Sequence, residues 1–437
     1  MTRGFAAVPR EKRYVLANTT LPAALAEGAP GKPDSDGLVA ADITIREGVI
    51  ERIDPPGRRT RLPRLDLDRG MAWPCFVDMH THLDKSHIWT RRPNPDGTFP
   101  SALDVVARDR AQNWNAADVA RRMEFGLRAA YAHGTSLIRT HLDSIPPQHK
   151  ISWPVFADLR ERWAGRIDLQ AVSLFTIDAF LDQAFADDIV STVAGHGGVL
   201  GAVTYMIPEL DRALELMMHR AANRGLDLDF HVDETSDSGA RSLRAIAEAA
   251  IRTNFPGRIV AGHCCSLAMQ EQAEAEATLD RVAEAGIAIV SLPMCNLYLQ
   301  DRVAGRTPRW RGVTLLHEMA ARGIPVAIAS DNVRDPFFAY GDLDMLETFR
   351  EAVRILHLDH PTAGWERAAT SAAADIIGRP DCGRIAVGSK ADLVLFCART
   401  WTELLSRPQA DRVVLRAGRA ISRALPDFRE LDDLMVA

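Results

Sequence analysis

The sequence predicts an α/β chain, a (β/α)8 TIM barrel with a small β-sandwich domain formed by both chain termini. Three observations predict it. Between about residues 75 and 380, short apolar runs alternate with amphipathic stretches, and strand–helix alternation implies a parallel sheet. Each chain end carries strand–turn–strand patterning too short to close a domain alone. Histidines and acidic residues recur at the ends of the apolar runs, where a barrel keeps its chemistry.

The elements follow in chain order. "LVAADITIREGVIERIDPP" has period-2 patches, a turn and a proline stop, so residues 1–73 are the first part of the sandwich. Residues 74–380 are the barrel. Its eight strand candidates are "AWPCFVDMHTHLD", "GTSLIRTHLD", "IDLQAVSLF", "GGVLGAVTYM", "GLDLDFHVDE", "GRIVAGHCCS", "GIAIVSLPMC" and "IPVAIASDN". Helical patterns such as "ELDRALELMMHRAANR" and "ARSLRAIAEAAIRT" separate them, and the methionines of the first form a helix core face. An open doubly wound sheet is the alternative, but no G-x-G-x-x-G or P-loop follows a strand. "GRIAVGSKADLVLFCA" and "DRVVLRAGRAI" place the second part of the sandwich at 381–437.

Composition excludes several classes. A net charge of −6 gives no basic footprint for nucleic acid or an anionic membrane. No apolar run approaches the ~20 residues of a membrane span, and the start carries no secretory signal pattern. Six cysteines in 437 residues make no disulfide framework, so free thiols in a reducing cytoplasm are expected. The expected partner is a small molecule, and self-association is left open.

"FVDMHTHLDKSH" concentrates metal-capable side chains at the end of the first strand. His80 and His82 are two apart, so they face one side of a strand about 6.5 Å apart. The fifth strand ends at His231 and the eighth at Asp331. Three imidazoles and a carboxylate make a credible set for one divalent ion, Zn or Fe, with a position left for water. Glu234, just past the fifth strand, is placed to relay a proton. His263, ending the sixth, can polarise a carbonyl or stabilise an anion. Asp331 counts both as ligand and as catalytic. A two-metal barrel usually has a bridging lysine or glutamate at the end of its fourth strand; here that strand has neither, so one metal is expected. His141 either lines the mouth or hydrogen-bonds within it. Asp84 and Asp143 either orient ligand imidazoles or cap helices. Cys264 and Cys265 read as packing residues. The competing reading of Glu234 is a cap for the helix that follows.

The set "FVDMHTHLDK", "IRTHLDS", "FHVDE", "AGHCCS", "NLYLQDR" and "SDNVRDPF" resembles the amidohydrolase superfamily, in particular its bacterial cytosine deaminase-like branch. The resemblance covers nearly the whole chain. It implies a barrel with one Fe or Zn ion and hydrolytic loss of ammonia from an amino-heterocycle. Position by position, His80, His82, His231 and Asp331 match the metal ligands, Glu234 the proton shuttle and His263 the catalytic histidine. The pocket departs from the pattern. Thr176 stands at the position aligned with the family's substrate-clamping glutamine, Asn332 where it has a second aspartate, and Phe337 where it has a tryptophan. With His141, these are the candidate substrate-binding residues. A pterin, another aminopyrimidine or an aminotriazine suits such a pocket. The alternatives are hydrolysis of a ring amide or of an N-alkylamino-triazine C–N bond, and a non-catalytic binding barrel. The last needs neither Glu234 nor His263.

Overall fold

The computed structural model describes residues 5–436. It divides into two compact units. The first gathers the chain up to Asp78 with Arg128–Leu137 and Asp344–Pro426. The second gathers Met79–Leu127, Ile138–Leu343 and the residues from Asp427 onward.

The first unit holds two four-stranded sheets. One orders Val49–Asp54, Leu38–Arg46, Arg13–Pro22 and Arg64–Asp66; the other orders Arg419–Ala420, Val413–Arg416, Leu393–Leu395 and Ala72–Pro74. Tyr14, Leu16, Ile43 and Ile45 of the first sheet share one buried core with Leu393, Leu395 and Leu415 of the second. Residues from both chain ends therefore complete each other's apolar face, which neither end could bury alone. Trp73 anchors a second cluster, edge-on to Phe349, Phe396 and Trp401 at centroid distances of 5.6, 6.2 and 5.8 Å.

The second unit carries eight strands: β1 (Phe76–Thr81), β2 (Thr135–Asp143), β3 (Asp168–Leu174), β4 (Leu200–Thr204), β5 (Leu228–Val232), β6 (Ile259–His263), β7 (Ala288–Ser291) and β8 (Val326–Ile328), the first two beginning in the first unit. Helices alternate with them: α1 (Phe99–Asn113), α2 (Ala116–His133), α3 (His149–Trp163), α4 (Gln183–Gly195), α5 (Leu210–Arg224), α6 (Ser242–Thr253), α7 (Gln272–Glu284), α8 (Pro293–Leu299) and α9 (Leu316–Ala321). Every residue of β1, β2, β5, β6 and β7 is buried, as expected of parallel strands covered on both faces. Met217 and Met218 lie in the buried face of α5.

β1, β2 and β3 form one sheet, and β4 to β8 a second, parallel one. Isolated parallel bridges continue the pairing: Val172 with Val199, Thr176 with Val203, and Thr81 with Asp331. The fold is mixed α/β, with a five-stranded parallel sheet in one unit and mostly antiparallel sheets in the other. Residues 427–436, read from sequence as part of the sandwich, cluster with the second unit. There Arg91 donates to the Leu434 carbonyl at 3.0 Å and Arg121 pairs with Asp433.

Candidate active site

The strand register sets the site. His231 pairs with Gly262, and Val232 with His263, so the polar ends of β5 and β6 lie side by side. The Asp331 amide donates to the His80 carbonyl at 2.9 Å, which brings the end of β1 beside the residue just past β8. Gly262 matters through what it lacks. A Cβ there would stand 3.0 Å from His80 Cε1 and 3.2 Å from its Nδ1. The absent side chain leaves the volume that the His80 ring occupies.

These placements converge four donor atoms. His231 Nε2 lies 3.1 Å from His80 Nε2 and 3.1 Å from His82 Nε2. Asp331 Oδ1 lies 3.1 Å from His82 Nε2 and 3.7 Å from His80 Nε2. Burial, reinforced by neighbouring positive groups, holds the His80, His82 and His231 imidazoles well below the usual histidine range. They are therefore neutral, with lone pairs to offer. Burial pushes the Asp331 carboxyl up to about 7, against the pull of His263.

The fit to a cation can be tested on these distances. Ligands held at 2.0–2.1 Å in a tetrahedron stand about 3.3 Å from one another. The spacings of 3.1 to 3.7 Å bracket that value. One Nε2 carries at most one proton, so hydrogen bonding cannot satisfy all these approaches at once. The donor set fits a divalent ion.

Glu234 and His263 sit beside this cluster. Glu234 Oε1 accepts from Asn296 Nδ2 at 3.0 Å and lies 3.3 Å from His263 Nδ1. Burial alone would lower the His263 pKa, but the Glu234 charge and hydrogen bond outweigh it and raise it. His263 Nε2 has no hydrogen-bond partner among the described residues. Asp233, His263, Cys264 and Asp331 all take positive φ, at 46°, 69°, 51° and 66°. Non-glycine residues held there cost of order 1–3 kcal/mol each, and such strain clusters at functional sites.

The remaining sequence candidates fall as follows. His141 is buried, its ring 4.0 Å from that of His80, with Nε2 3.9 Å from Asp229 Oδ1. Asn332 donates to Asp335 Oδ2 at 2.7 Å, and Asp335 Oδ1 accepts from the Phe337 amide, so Asn332 shapes the loop that carries Phe337. Phe337 packs 5.5 Å from Phe99 and lies 5.3 Å from Lys85 Nζ. Thr176 opens a short 3-10 turn past β3 and bridges to Val203 of β4.

Asp84 and Asp143 take neither role expected of them. Asp84 accepts from the Asp143 amide and the Ser152 hydroxyl, while Asp143 pairs with Lys85 at 2.9 Å and Arg110 at 2.7 Å. The cap of α6 is Asp233, whose carboxylate accepts from the amides of Ser242 and Leu243. Glu234 is left free of that duty. Cys264 and Cys265 lie in the turn beyond β6, and burial pushes both thiols well up, so they are no thiolate site.

Sequence reasoning missed three residues of this site. Asn296 contacts both Glu234 and His263, and Gln300 donates to the Glu234 carbonyl at 3.1 Å. Their signal was the i, i+4 spacing within "NLYLQDR". Asp233 caps a helix nine residues away, and no local pattern announces that.

A family model described as the amidohydrolase family matches residues 161–421. The chain belongs to the amidohydrolase family. A pterin deaminase of Rhizobium rhizogenes (strain K84) is 59% identical over 438 residues, covering 100% of both chains. The N-isopropylammelide isopropyl amidohydrolase of Pseudomonas sp. (strain ADP) is 25% identical over 87% of this chain and 93% of its own. Among solved structures, 5-methylcytosine deaminase from Klebsiella pneumoniae with 5-fluorocytosine superposes with a TM-score of 0.81 at 22% identity, covering 95% of this chain and 98% of that one. As an amidohydrolase, this chain is a hydrolytic enzyme of carbon–nitrogen bonds. No helix among the described residues is long and apolar enough to cross a membrane.

Proposed function

We propose that this amidohydrolase is a metal-dependent deaminase that releases ammonia from an amino-substituted ring of the pterin type. The observation that carries the reading is the 59% identity to a pterin deaminase along the full length of both chains. The convergence of His80, His82, His231 and Asp331 beside Glu234 and His263 supplies a matching chemistry.

In this reading the eight strands close into a barrel through the three isolated bridges, with the site at their C-terminal ends. His80, His82, His231 and Asp331 would hold one divalent ion, Zn or Fe. Bound there, the ion would lower the pKa of a water molecule toward about 7. Water adds to the ring carbon that carries the amino group. Glu234 takes a proton from that water and delivers it to the neighbouring ring nitrogen. Its Oε1 is engaged by Asn296 and His263, so Oε2 is the oxygen that carries the proton. His263 donates from Nε2 to the oxygen that gains charge. The second proton goes to the amino group, which leaves as ammonia while the ring keeps a carbonyl.

His141, Thr176, Asn332 and Phe337 shape the pocket in this proposal. The buried cysteines Cys75, Cys264, Cys265 and Cys295 suit a reducing cytoplasm. Ammonia release measured across pterins, pyrimidines, purines and N-alkylamino-triazines tests the reading. Turnover of a pterin above the other rings is expected; turnover confined to N-alkylamino-triazines, with release of the alkylamine, would overturn it.

A further inference from the structure

Asn296 is fully buried, and nothing in the reaction outlined above uses its amide directly. It sits on α8, one turn after Pro293, and its own amide donates to the Leu292 carbonyl. That turn delivers the side chain to a point 3.0 Å from Glu234 Oε1 and 3.0 Å from His263 Nδ1. Gln300 follows one turn later and holds the Glu234 carbonyl at 3.1 Å.

The chemistry of the partners decides which way the amide faces. A carboxylate only accepts, so the atom against Glu234 Oε1 is the NH2 group; a flipped amide would set its oxygen against the carboxylate oxygen. The NH2 group has two hydrogens. One points to Glu234, and the other is available to His263 Nδ1. A neutral imidazole that accepts at Nδ1 carries its proton on Nε2. A cationic imidazole carries one there as well and offers Nδ1–H to Glu234. In both states the site meets an N–H at Nε2, the nitrogen left without a partner among the described residues and buried with the rest of the ring.

We propose that Asn296 is the positioning residue of this site: its one NH2 group holds the Glu234 carboxylate and fixes His263 as an Nε2–H donor. Asn296 then acts through Glu234 and His263 rather than on the substrate. The proposal deepens the deaminase reading and rests on it for its catalytic consequence. Its structural content, the tautomer of His263, stands apart from any substrate.

The test therefore has two readouts. In zinc-loaded protein with 15N-labelled histidine, the His263 ring signals are identified by their loss in His263→Gln. Nitrogen shifts showing a protonated Nε2 are expected; a neutral ring with a bare Nε2 and a protonated Nδ1 would overturn the proposal. Asn296→Ala and Asn296→Asp are then compared with wild type on the ring turned over best. Asp keeps the shape but has no donor for either partner. Residues that orient catalytic groups from behind typically account for about 10- to 100-fold, so both variants should lose that much in kcat, with KM and bound metal near wild type. Wild-type kcat in Asn296→Asp, or metal lost in step with kcat, would also overturn it. A wild type that releases no ammonia but shows the Nε2–H ring sinks the deaminase reading and leaves the tautomer assignment in place.

Discussion

His82 Nε2 and His231 Nε2 lie 3.1 Å apart although 149 residues separate them in the chain. His80 Nε2 approaches the same His231 nitrogen just as closely. Desolvation keeps these rings uncharged, which removes the repulsion that would otherwise drive them apart. Lone pairs grouped this closely suit a shared cation.

Metal content should follow this geometry. The purified protein should carry up to one equivalent of Zn or Fe, and His80→Ala or Asp331→Ala should lower metal and activity together. Gly262→Ala should have the same effect without touching a ligand, because its Cβ meets the His80 ring at 3.0 Å. Elemental analysis decides: full metal in a variant lacking both His80 and His82 defeats the assignment.

Glu234→Gln separates catalysis from structure. Glutamine keeps the shape but cannot take a proton from water. General acid–base catalysis contributes about 10²–10⁴-fold, so kcat should fall by roughly that range with metal and melting temperature preserved. Asp233 already caps α6, so no loss of a helix cap is expected. Near-normal turnover would remove Glu234 from the mechanism.

Ring preference should lie with Phe337, Asn332 and Thr176. Asn332 acts at one remove, since its hold on Asp335 sets the loop bearing Phe337. Substitutions at these positions should reorder kcat/KM among pterins, pyrimidines and triazines while leaving bound metal unchanged. An unaltered ranking in all three variants places the selective contacts elsewhere.

Acid stability should depend on Asp344. Burial works against its charge, but Arg412 and His133 outweigh it and hold the carboxyl down at about 2, against an ordinary value of 3.8. A carboxyl lowered in the folded state stabilises the fold above its ordinary pKa, and that contribution fades as pH falls toward about 2. At about 1.4 kcal/mol per pKa unit, this pair is worth about 2 kcal/mol at neutral pH. Asp344→Asn keeps a cap for Leu346 but loses the charge. Urea melts should show wild type more stable at pH 6, with the gap shrinking between pH 4 and pH 2. A gap independent of pH would rule out this origin.

Much of this molecule is written locally. Eight apolar runs separated by helical patterns determine the strand–helix alternation, because burial on both faces demands continuous apolar strands and covering helices demand a 3.6 period. The spacing of His80 and His82 by itself puts two imidazoles on one face. What only the tertiary structure decides is which distant groups meet. The pairing of His231 with Gly262 comes from strand register, and the room for the His80 ring from a missing Cβ on another strand. Asp84 and Asp143 carry the right chemistry for orienting ligands, yet packing turns them toward Ser152, Lys85 and Arg110. Asn296 looks like an ordinary residue of a short helix until α8 brings its amide against two side chains, 62 and 33 residues away in sequence. Periodicity is a property of neighbours along the chain, so the sequence displays it. Convergence is set by register and packing between segments far apart, and it exists only once the chain has folded.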